Sequence, residues 1–302
     1  MVIPAYGSGA MPLVWQPEDL EELQMLKNRL NGSFCYAAGA TLLRTQWEGG
    51  LVPAPEHMIS LARIPETSDV YMDGERIVIG ALTRLNRCIT DGSLQHLRLL
   101  KEAVKTIAAP SIRNVATIGG NIVSGVGDTL PALLTYNAEL HWMTDTGLET
   151  RTLDSWLKGG RDGSRNPNDV LISIQIPMEK WSVTNPDRPT TDVREIEFYR
   201  KLGRRETFSA SLVTIAFRGE IATDGTWKKV AIAAGGGSGM PMRLPESEQL
   251  LLSGKASIMQ TTALADAAAS EFVTYGDAFA TEHYRKRTAG NLLGAGLWEA
   301  LH

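Results

Sequence analysis

Residues 112–122 of this 302-residue chain read Ile-Arg-Asn-Val-Ala-Thr-Ile-Gly-Gly-Asn-Ile, and this Gly-rich stretch decides how the sequence is interpreted. An earlier run of small residues reads Ala37-Ala38-Gly39-Ala40-Thr41. Small residues let a backbone approach a ligand closely, and consecutive N–H groups at a turn or helix start attract phosphate oxygens. If the fold brings these two bends face to face, their main-chain amides can hold a pyrophosphate. Thr41, Thr117 and Asn121 add polar side chains.

Each bend taken alone also has a plainer explanation. Gly39 and Gly119-Gly120 equally suit tight turns that bind nothing. The first bend lacks the nicotinamide-dinucleotide fingerprint G-x-G-x-x-G, and no βαβ unit carries an acid about 20 residues further on. The sequence therefore argues against a simple Rossmann domain and leaves the pair of bends as a candidate phosphate site.

The composition is that of an ordinary soluble protein. Lys and Arg number 30 against 34 Asp and Glu, the net charge is -4, and 43% of the residues are hydrophobic. This balance argues against disorder and against binding to nucleic acid or other polyanions. No apolar run approaches the roughly 20 residues that span a bilayer, and the first 15 residues lack the pattern of an export signal. We therefore expect a cytoplasmic protein.

Residues that bind metals are too scattered to form a centre. The chain has 2 cysteines, Cys35 and Cys88, which cannot supply the clustered thiolates of iron-sulfur or structural zinc sites. Its 5 histidines include no close pair. We assign no metal ligand and no catalytic side chain, so any metal centre that works with this chain is expected on another one.

Hydrophobic periodicity and turn residues predict alternating strands and helices. The predicted strands are 34–38, 57–61, 70–72, 76–79, 138–143, 148–152, 170–176, 194–202, 211–218 and 227–234. The predicted helices are 20–30, 42–47, 94–107, 130–134, 245–252, 258–275 and 282–301. Asp73-Gly74 and the turn at 145–147 indicate two hairpins.

These elements predict two mixed lobes followed by a domain of antiparallel strands and helices. The first lobe is expected at 1–60 and the second at 61–178. Residues 179–192 are polar and contain two prolines, which is typical of a linker. The last domain is expected at 193–302.

The two bends resemble those of a known family, the flavin-binding medium subunits of molybdenum hydroxylases such as xanthine dehydrogenase and carbon monoxide dehydrogenase. Residues 112–122 match the family signature I-R-N-x-A-T-I-G-G-N-I without a break, and 128–134 match its D-x-x-P-A-L-L. Residues 38–43 are similar to its A-G-G-T-x-L turn. Further similarity, which extends the resemblance over nearly the whole chain, lies at 171–177, 199–205 and 284–293.

The resemblance implies an α+β protein. Its two lobes would form an FAD-binding domain of the vanillyl-alcohol oxidase (PCMH) type, and the last domain would be of the carbon monoxide dehydrogenase flavoprotein type. The implied cofactor is FAD. Because no histidine is well placed for covalent attachment, we expect it to be bound without a covalent link. The implied partners are an iron-sulfur subunit and a molybdopterin subunit, with NAD or another acceptor receiving the electrons.

The resemblance also implies which residues contact FAD. They are Tyr36, Ala37, Ala38, Gly39, Ala40, Thr41, Leu42, Leu43, Thr117, Ile118, Gly119, Gly120, Asn121, Asp128, Leu171 and Lys201. The two bends would surround the diphosphate, Asp128 would hydrogen-bond the cofactor, and Leu171 and Lys201 would lie near its ring system. Asp128 also suits a helix cap, and Lys201 also suits a solvated charge beside Arg200.

Arg113 is interpreted as a structural residue, because its guanidinium is always charged and suits the anchoring of loop carbonyls.

Three departures from the family pattern concern flavin binding. Ala40 stands where the family has a second glycine, and its methyl group penalises a positive φ. Leu42 replaces a commonly polar residue, and 123–127 is shorter than in the family. They motivate one alternative, a flavin-poor scaffold subunit of the same complex. A free-standing flavin oxidase is the other, and the substrate, the acceptor and the stoichiometry of the complex stay open.

Overall fold

The computed structural model describes residues 12–53, 55–178, 193–205, 210–237 and 239–302. The predicted linker at 179–192 lies outside these residues. Three sheets follow one another along the chain, and the helices pack against them. Within the described ranges, no helix has both the length and the apolar character needed to cross a bilayer.

The first sheet is parallel and has the strand order β1-β3-β2. Its elements are β1 (Leu13–Trp15), α1 (Leu20–Leu30), β2 (Phe34–Ala37), α2 (Thr41–Glu48) and β3 (His57–Ser60). Asp19 caps α1 by accepting the N–H of Glu22, and left-handed Asn31 ends it. Because α2 follows β2 after only a short bend, the N-terminus of α2 lies at the carboxyl edge of this sheet.

The second sheet is antiparallel and has the strand order β4-β5-β8-β6-β7. Its strands are β4 (Val70–Asp73), β5 (Arg76–Gly80), β6 (Glu139–Thr144), β7 (Gly147–Thr152) and β8 (Val170–Pro177). Its helices are α3 (Leu85–Thr90), α4 (Arg98–Lys105), α5 (Pro110–Arg113), α6 (Ile118–Val123), α7 (Leu130–Thr135) and α8 (Leu153–Asp162). Both predicted hairpins, β4-β5 and β6-β7, are confirmed.

Apolar and polar contacts join the first two sheets. Buried Leu23 and Ile59 belong to the same apolar cluster as Val170 of the second sheet. At its edge, the Nζ of Lys27 lies 3.0 Å from Oδ1 of Asp145. The two lobes therefore pack against each other through one shared apolar cluster.

The third sheet is antiparallel and has the strand order β12-β11-β10-β9. Its elements are β9 (Val193–Gly203), β10 (Ser211–Ala222), β11 (Trp227–Gly235), β12 (Met242–Arg243), α9 (Pro245–Leu252), α10 (Gln260–Glu271) and α11 (Glu282–Leu301). One face of this sheet packs on α9, α10 and α11. On the other face, Tyr199, Ala216 and Ala233 belong to the core of the second lobe. The sheet therefore lies between its own helices and the middle part of the chain.

Three predicted segments differ in the structure. The helix expected at 258–275 spans only Gln260–Glu271, because Phe272 has an extended backbone. The helix expected at 94–107 begins only at Arg98, because Asp91 accepts the N–H of Ser93 and starts a separate 3-10 turn at Gly92–Leu94. The loop expected around Gly119-Gly120 is the first turn of α6. Glycine disfavours helix, and here a threonine cap and tertiary hydrogen bonds override that local preference.

Candidate functional site

The first bend, between β2 and α2, presents unpaired main-chain donors. Ala40, the residue before α2, has φ 50° and ψ 13°, which is the left-handed region, and its side chain cannot cap the helix. None of the N–H groups from Ala38 to Leu43 has an acceptor among the residues that the structure describes. A continuous run of free donors at a helix N-terminus is favourable for an anion.

The two bends are in direct contact. A Cβ atom on Gly39 would lie 2.1 Å from the carbonyl oxygen of Val115 and 3.0 Å from the Cα of Ala116. A Cβ on Gly119 would lie 2.6 Å from the carbonyl oxygen of Ala81, just after β5. Only glycine permits such close backbone approach. The structure thus brings the two bends face to face, as the sequence analysis expects.

The second bend offers fewer main-chain donors than expected. The N–H groups of residues 118–121 all donate within the protein. Their acceptors, in chain order, are Thr83 O at 2.9 Å, Ala81 O at 2.7 Å, Thr117 Oγ1 at 3.1 Å and Thr117 O at 3.0 Å. Because this bend is the capped start of α6 and packs against the end of a strand, its amides are already used. The expectation that main-chain amides of both bends are free is therefore wrong for the second bend.

The open side of the second bend carries a side-chain donor instead. Oδ1 of Asn121 accepts from the N–H of Thr129 at 3.2 Å and from its hydroxyl at 2.6 Å. Since an N–H can only donate, the Asn121 atom that faces it is oxygen, and the other atom is the NH2 group. That NH2 group has no acceptor in the described part of the chain. Gly120 beside it is exposed, and a Cβ there would meet only Thr117 Oγ1, at 3.1 Å.

Tyr36, Leu42 and Leu171 occupy different environments. The Tyr36 hydroxyl donates to the carbonyl of Asn168 at 2.9 Å, and burial raises the pKa of Tyr36. Leu42 is 48% exposed at the start of α2, whereas Leu171 is buried on β8 opposite Trp142. Tyr36 is therefore neutral and ties the strand before the first bend to the second lobe.

Asp128 and Lys201 form a buried ion pair between the first two lobes and the third sheet. Nζ of Lys201 lies 2.6 Å from Oδ2 of Asp128, and the two side chains are 7% and 12% exposed. Lys201 also donates to the carbonyl of Thr106 at 2.9 Å, and Asp128 Oδ1 accepts the Ser211 hydroxyl at 2.6 Å. The Tyr199 hydroxyl donates to the Asp128 carbonyl at 2.9 Å.

Both plainer explanations of these two residues are wrong. The residue before α7 is Thr129, which provides no capping side chain, and the Asp128 carboxylate points to Lys201 and Ser211 instead. Lys201 is buried and paired, so it is not a solvated charge. Sequence reasoning missed Ser211, which lies 83 residues from Asp128 and has no distinctive local pattern.

Arg113 has the structural role that the sequence analysis assigns to it. Its Nη1 donates to the carbonyls of Ile107 at 2.7 Å and Ala108 at 2.6 Å. Ala108 has a φ of 40°, so the guanidinium fixes a strained turn before the second bend.

Replacing Ala40 by glycine is expected to stabilise the protein. A left-handed backbone costs alanine about 1–2 kcal/mol, and glycine avoids this cost. Glycine also loses more chain entropy on folding, which cancels about 0.5–1 kcal/mol of the gain. The free energy of unfolding should rise by about 0.5–1 kcal/mol in urea denaturation. Ala38, which has no positive φ, is the matched control, and Ala38→Gly should lower stability. Equal losses in both variants would contradict the strain at Ala40.

The two bends in contact and the third sheet that packs on the second lobe define the class of the protein. It has a two-lobed fold of the dinucleotide-binding kind, and an antiparallel domain packs against it. The family described as "FAD binding domain in molybdopterin dehydrogenase" matches residues 8–179. The "CO dehydrogenase flavoprotein C-terminal domain" matches residues 197–300. The chain belongs to this family of molybdopterin-dehydrogenase flavoproteins, and FAD is its cofactor. The expected α+β fold class is thereby confirmed.

Named relatives and a solved structure agree with this assignment. The carbon monoxide dehydrogenase medium chain of Hydrogenophaga pseudoflava is 38% identical over 146 residues, which are 46% of this chain and 50% of that one. The xanthine dehydrogenase FAD-binding subunit of Escherichia coli O157:H7 is 26% identical over 64% of this chain and 63% of its own. A carbon monoxide dehydrogenase structure from Hydrogenophaga pseudoflava has a TM-score of 0.84 at 26% identity, covering 97% of this chain and 99% of that chain. The sequence alignment therefore spans half the length of the first of these relatives.

Proposed function

We propose that this chain is the electron-transferring FAD subunit of a molybdenum hydroxylase. Electrons from an iron-sulfur partner chain would leave through FAD to NAD or another acceptor. The observation that carries the proposal is the run of N–H groups from Ala38 to Leu43 that have no acceptor among the described residues, at the place where Gly39 contacts the second bend. FAD, when bound, supplies the redox chemistry, and the protein supplies binding, orientation and electrostatics.

The residues of this chain divide the task of holding FAD. Main-chain N–H groups of the first bend would bind diphosphate oxygens, and the NH2 group of Asn121 would add a donor from the second. The bare Cα of Gly120 leaves room for the ligand. Lys201 uses two of its three N–H donors on Asp128 and Thr106, so one remains for a cofactor oxygen. The resemblance places Leu171 near the ring system, but its side chain is buried in the core of the second lobe and presents no apolar surface to a ligand.

The proposed partners follow from what this chain lacks and from its relatives. Two cysteines cannot hold an iron-sulfur cluster, so the electrons that reach FAD would come from another chain. One relative, from Paenarthrobacter nicotinovorans, is named "6-hydroxypseudooxynicotine dehydrogenase complex subunit alpha" and aligns over 82% of this chain. A molybdopterin subunit would select the substrate, and NAD is the proposed acceptor.

Flavin content tests the proposal directly. The purified chain should show flavin absorbance, release FAD on acid denaturation, and take it up again after removal. The native complex should catalyse the oxidation of added NADH by an artificial electron acceptor. A folded chain that neither carries nor takes up FAD would overturn the proposal and favour the scaffold alternative. Purification without any cysteine-rich partner chain would favour the free-standing oxidase.

Replacing Gly120 by valine should lower FAD affinity without unfolding the protein. Apart from the backbone of α6 itself, the Cβ of the new side chain would meet only Thr117 Oγ1 among the described residues, but the side chain fills the open side of the second bend. We expect the dissociation constant for FAD to rise at least about tenfold, equivalent to about 1.4 kcal/mol, in a flavin fluorescence titration. Gly92, which has open space around it, is the matched control, and Gly92→Val should bind FAD normally. Unchanged affinity in folded Gly120→Val would remove Gly120 from the site.

A further inference from the structure

An extra residue interrupts the pairing of β9 with β10 at Leu212. Ser211 pairs with Gly203 and Val213 pairs with Leu202, so Leu212 has no partner on β9. Such a β-bulge shifts by one residue the alternation of side chains between the two faces of a sheet. Bulges are frequent beside functional sites, where they change the direction of a side chain.

The bulge decides on which face of the third sheet Ser211 lies. Val213 and Ile215 belong to the apolar cluster of α9, α10 and α11, whereas Ala216 belongs to the core of the second lobe. Strict alternation from Val213 would place Ser211 on the helix face. With one extra residue, the Ser211 hydroxyl instead donates to Oδ1 of Asp128 at 2.6 Å, on the lobe face. This distance is typical of a hydroxyl that donates to a carboxylate.

Arg285 of α11 holds the bulge in place. Its fully buried guanidinium donates through Nη1 to the carbonyl of Leu212 at 2.7 Å and through Nη2 to Oδ2 of Asp277 at 2.6 Å. Gly237 lies directly on the guanidinium, since a Cβ there would lie 1.5 Å from Nη1. The N–H of Gly237 donates to the carbonyl of Ser211 at 2.8 Å. The backbone on both sides of the bulge is therefore fixed from the C-terminal domain.

We propose that Ser211 is a positioning residue that sets Lys201 for the cofactor, and that the bulge held by Arg285 places it. The Ser211 hydroxyl occupies Oδ1 of Asp128, so Lys201 pairs with Oδ2 and keeps one N–H donor. The hydroxyl also offsets part of the negative charge of the carboxylate. The inference rests on the proposed function, in which the remaining N–H of Lys201 meets a cofactor oxygen.

Ser211→Ala should lower the reduction potential of bound FAD. Both Asp128 oxygens would then be open to Lys201, and the carboxylate would be more negative, so less positive charge would stabilise the reduced cofactor. We expect binding of reduced relative to oxidised cofactor to weaken about tenfold, equal to about 30 mV for a two-electron couple, in a spectroelectrochemical titration of the FAD-loaded chain. Ser247→Ala is the matched control, because buried Ser247 donates to Glu271 at 2.8 Å in the same domain. It should lower stability and leave the potential unchanged.

Arg285→Lys tests the role of the bulge. Lysine keeps the charge but cannot reproduce the planar fork that contacts Leu212 and Asp277. The potential should fall in the wild-type background but not further in Ser211→Ala, because the effect passes through the hydroxyl, whereas losses of stability should add. Arg218→Lys, at another buried arginine of the same sheet, should lower stability without shifting the potential. Potential shifts that add in Arg285→Lys/Ser211→Ala would overturn the role of the bulge.

The contact between Ser211 and Asp128 is also measurable without FAD. In a double-mutant cycle of Ser211→Ala and Asp128→Asn on the apo-protein, we expect a coupling of at least about fivefold in the unfolding equilibrium, because a neutral amide accepts a weaker hydrogen bond. Absence of coupling, or a folded FAD-loaded Ser211→Ala chain with the wild-type potential, overturns the inference and leaves the proposed function intact. A wild-type chain that takes up no FAD overturns both, so FAD loading of the wild type distinguishes the two failures.

Discussion

Gly39→Ala should weaken FAD binding more than any other single methyl group added to the two bends. The new Cβ would lie 2.1 Å from Val115 O, 2.7 Å from the carbonyl carbon and 3.0 Å from the Cα of Ala116, all of them backbone atoms. A side chain could rotate away, but a backbone segment anchored by a capped helix cannot. The substitution therefore has to separate the two bends.

The expected loss of stability for Gly39→Ala is about 1–3 kcal/mol, which is typical of overpacking. The dissociation constant for FAD should rise more than about tenfold, because the donors of the first bend move relative to Asn121. Urea denaturation and flavin titration measure the two effects. Gly92→Ala is the control, since a Cβ there meets nothing within 4 Å. Wild-type stability and affinity in Gly39→Ala would show that the bends are not in contact.

Breaking the Asp128–Lys201 pair should have the largest effect on stability. Removing one partner of a buried ion pair leaves a buried charge without compensation, which typically costs about 3–5 kcal/mol. We expect losses of this size for Lys201→Met and for Asp128→Asn, measured as free energies of unfolding. The hydrogen bonds from Ser211 and to Thr106 reduce the loss but do not supply an opposite charge.

The double variant separates a structural role from cofactor binding. Asp128→Asn/Lys201→Met removes both charges and should recover much of the lost stability, which gives a large coupling energy in a double-mutant cycle. If Lys201 also contacts FAD, the flavin affinity will stay low although stability returns. The exposed pair Arg200–Glu299 is the matched control, and its coupling should stay below about 1 kcal/mol. A small coupling at Asp128–Lys201 would contradict the burial of this pair.

Local chemistry explains which parts of the fold are readable from the sequence. The hairpins at β4-β5 and β6-β7 are predicted because Asp-Gly and Thr-Gly turns fix strand reversal within a few residues. The helix α1 is predicted because acids in its first turn and an Asn-Gly stop enclose a periodic apolar stripe. Helix α6 is not predicted, because its first turn contains two glycines and depends on bonds to Ala81 and Thr83.

The candidate site divides in the same way. The two small-residue bends are visible as motifs, and so is the interpretation of Arg113 as an anchor for nearby carbonyls. The pairing of Asp128 with Lys201 and Ser211 is not visible in the sequence. Lys201 lies 73 positions and Ser211 lies 83 positions after Asp128 in the chain. The bulge at Leu212 is likewise invisible, since it exists only in the pairing of β10 with β9.

The sequence by itself determined where the chain turns, which faces are apolar, and that two bends consist of residues small enough for a ligand to approach the backbone. These properties depend on residues close together in the chain, where side-chain size and backbone freedom act directly. Only the tertiary structure decided which donors remain free. The amides of the second bend donate to residues after β5 and to Thr117, whereas those of the first bend have no acceptor in the part of the chain that the structure describes, because an N–H pairs only with an acceptor that the fold places beside it.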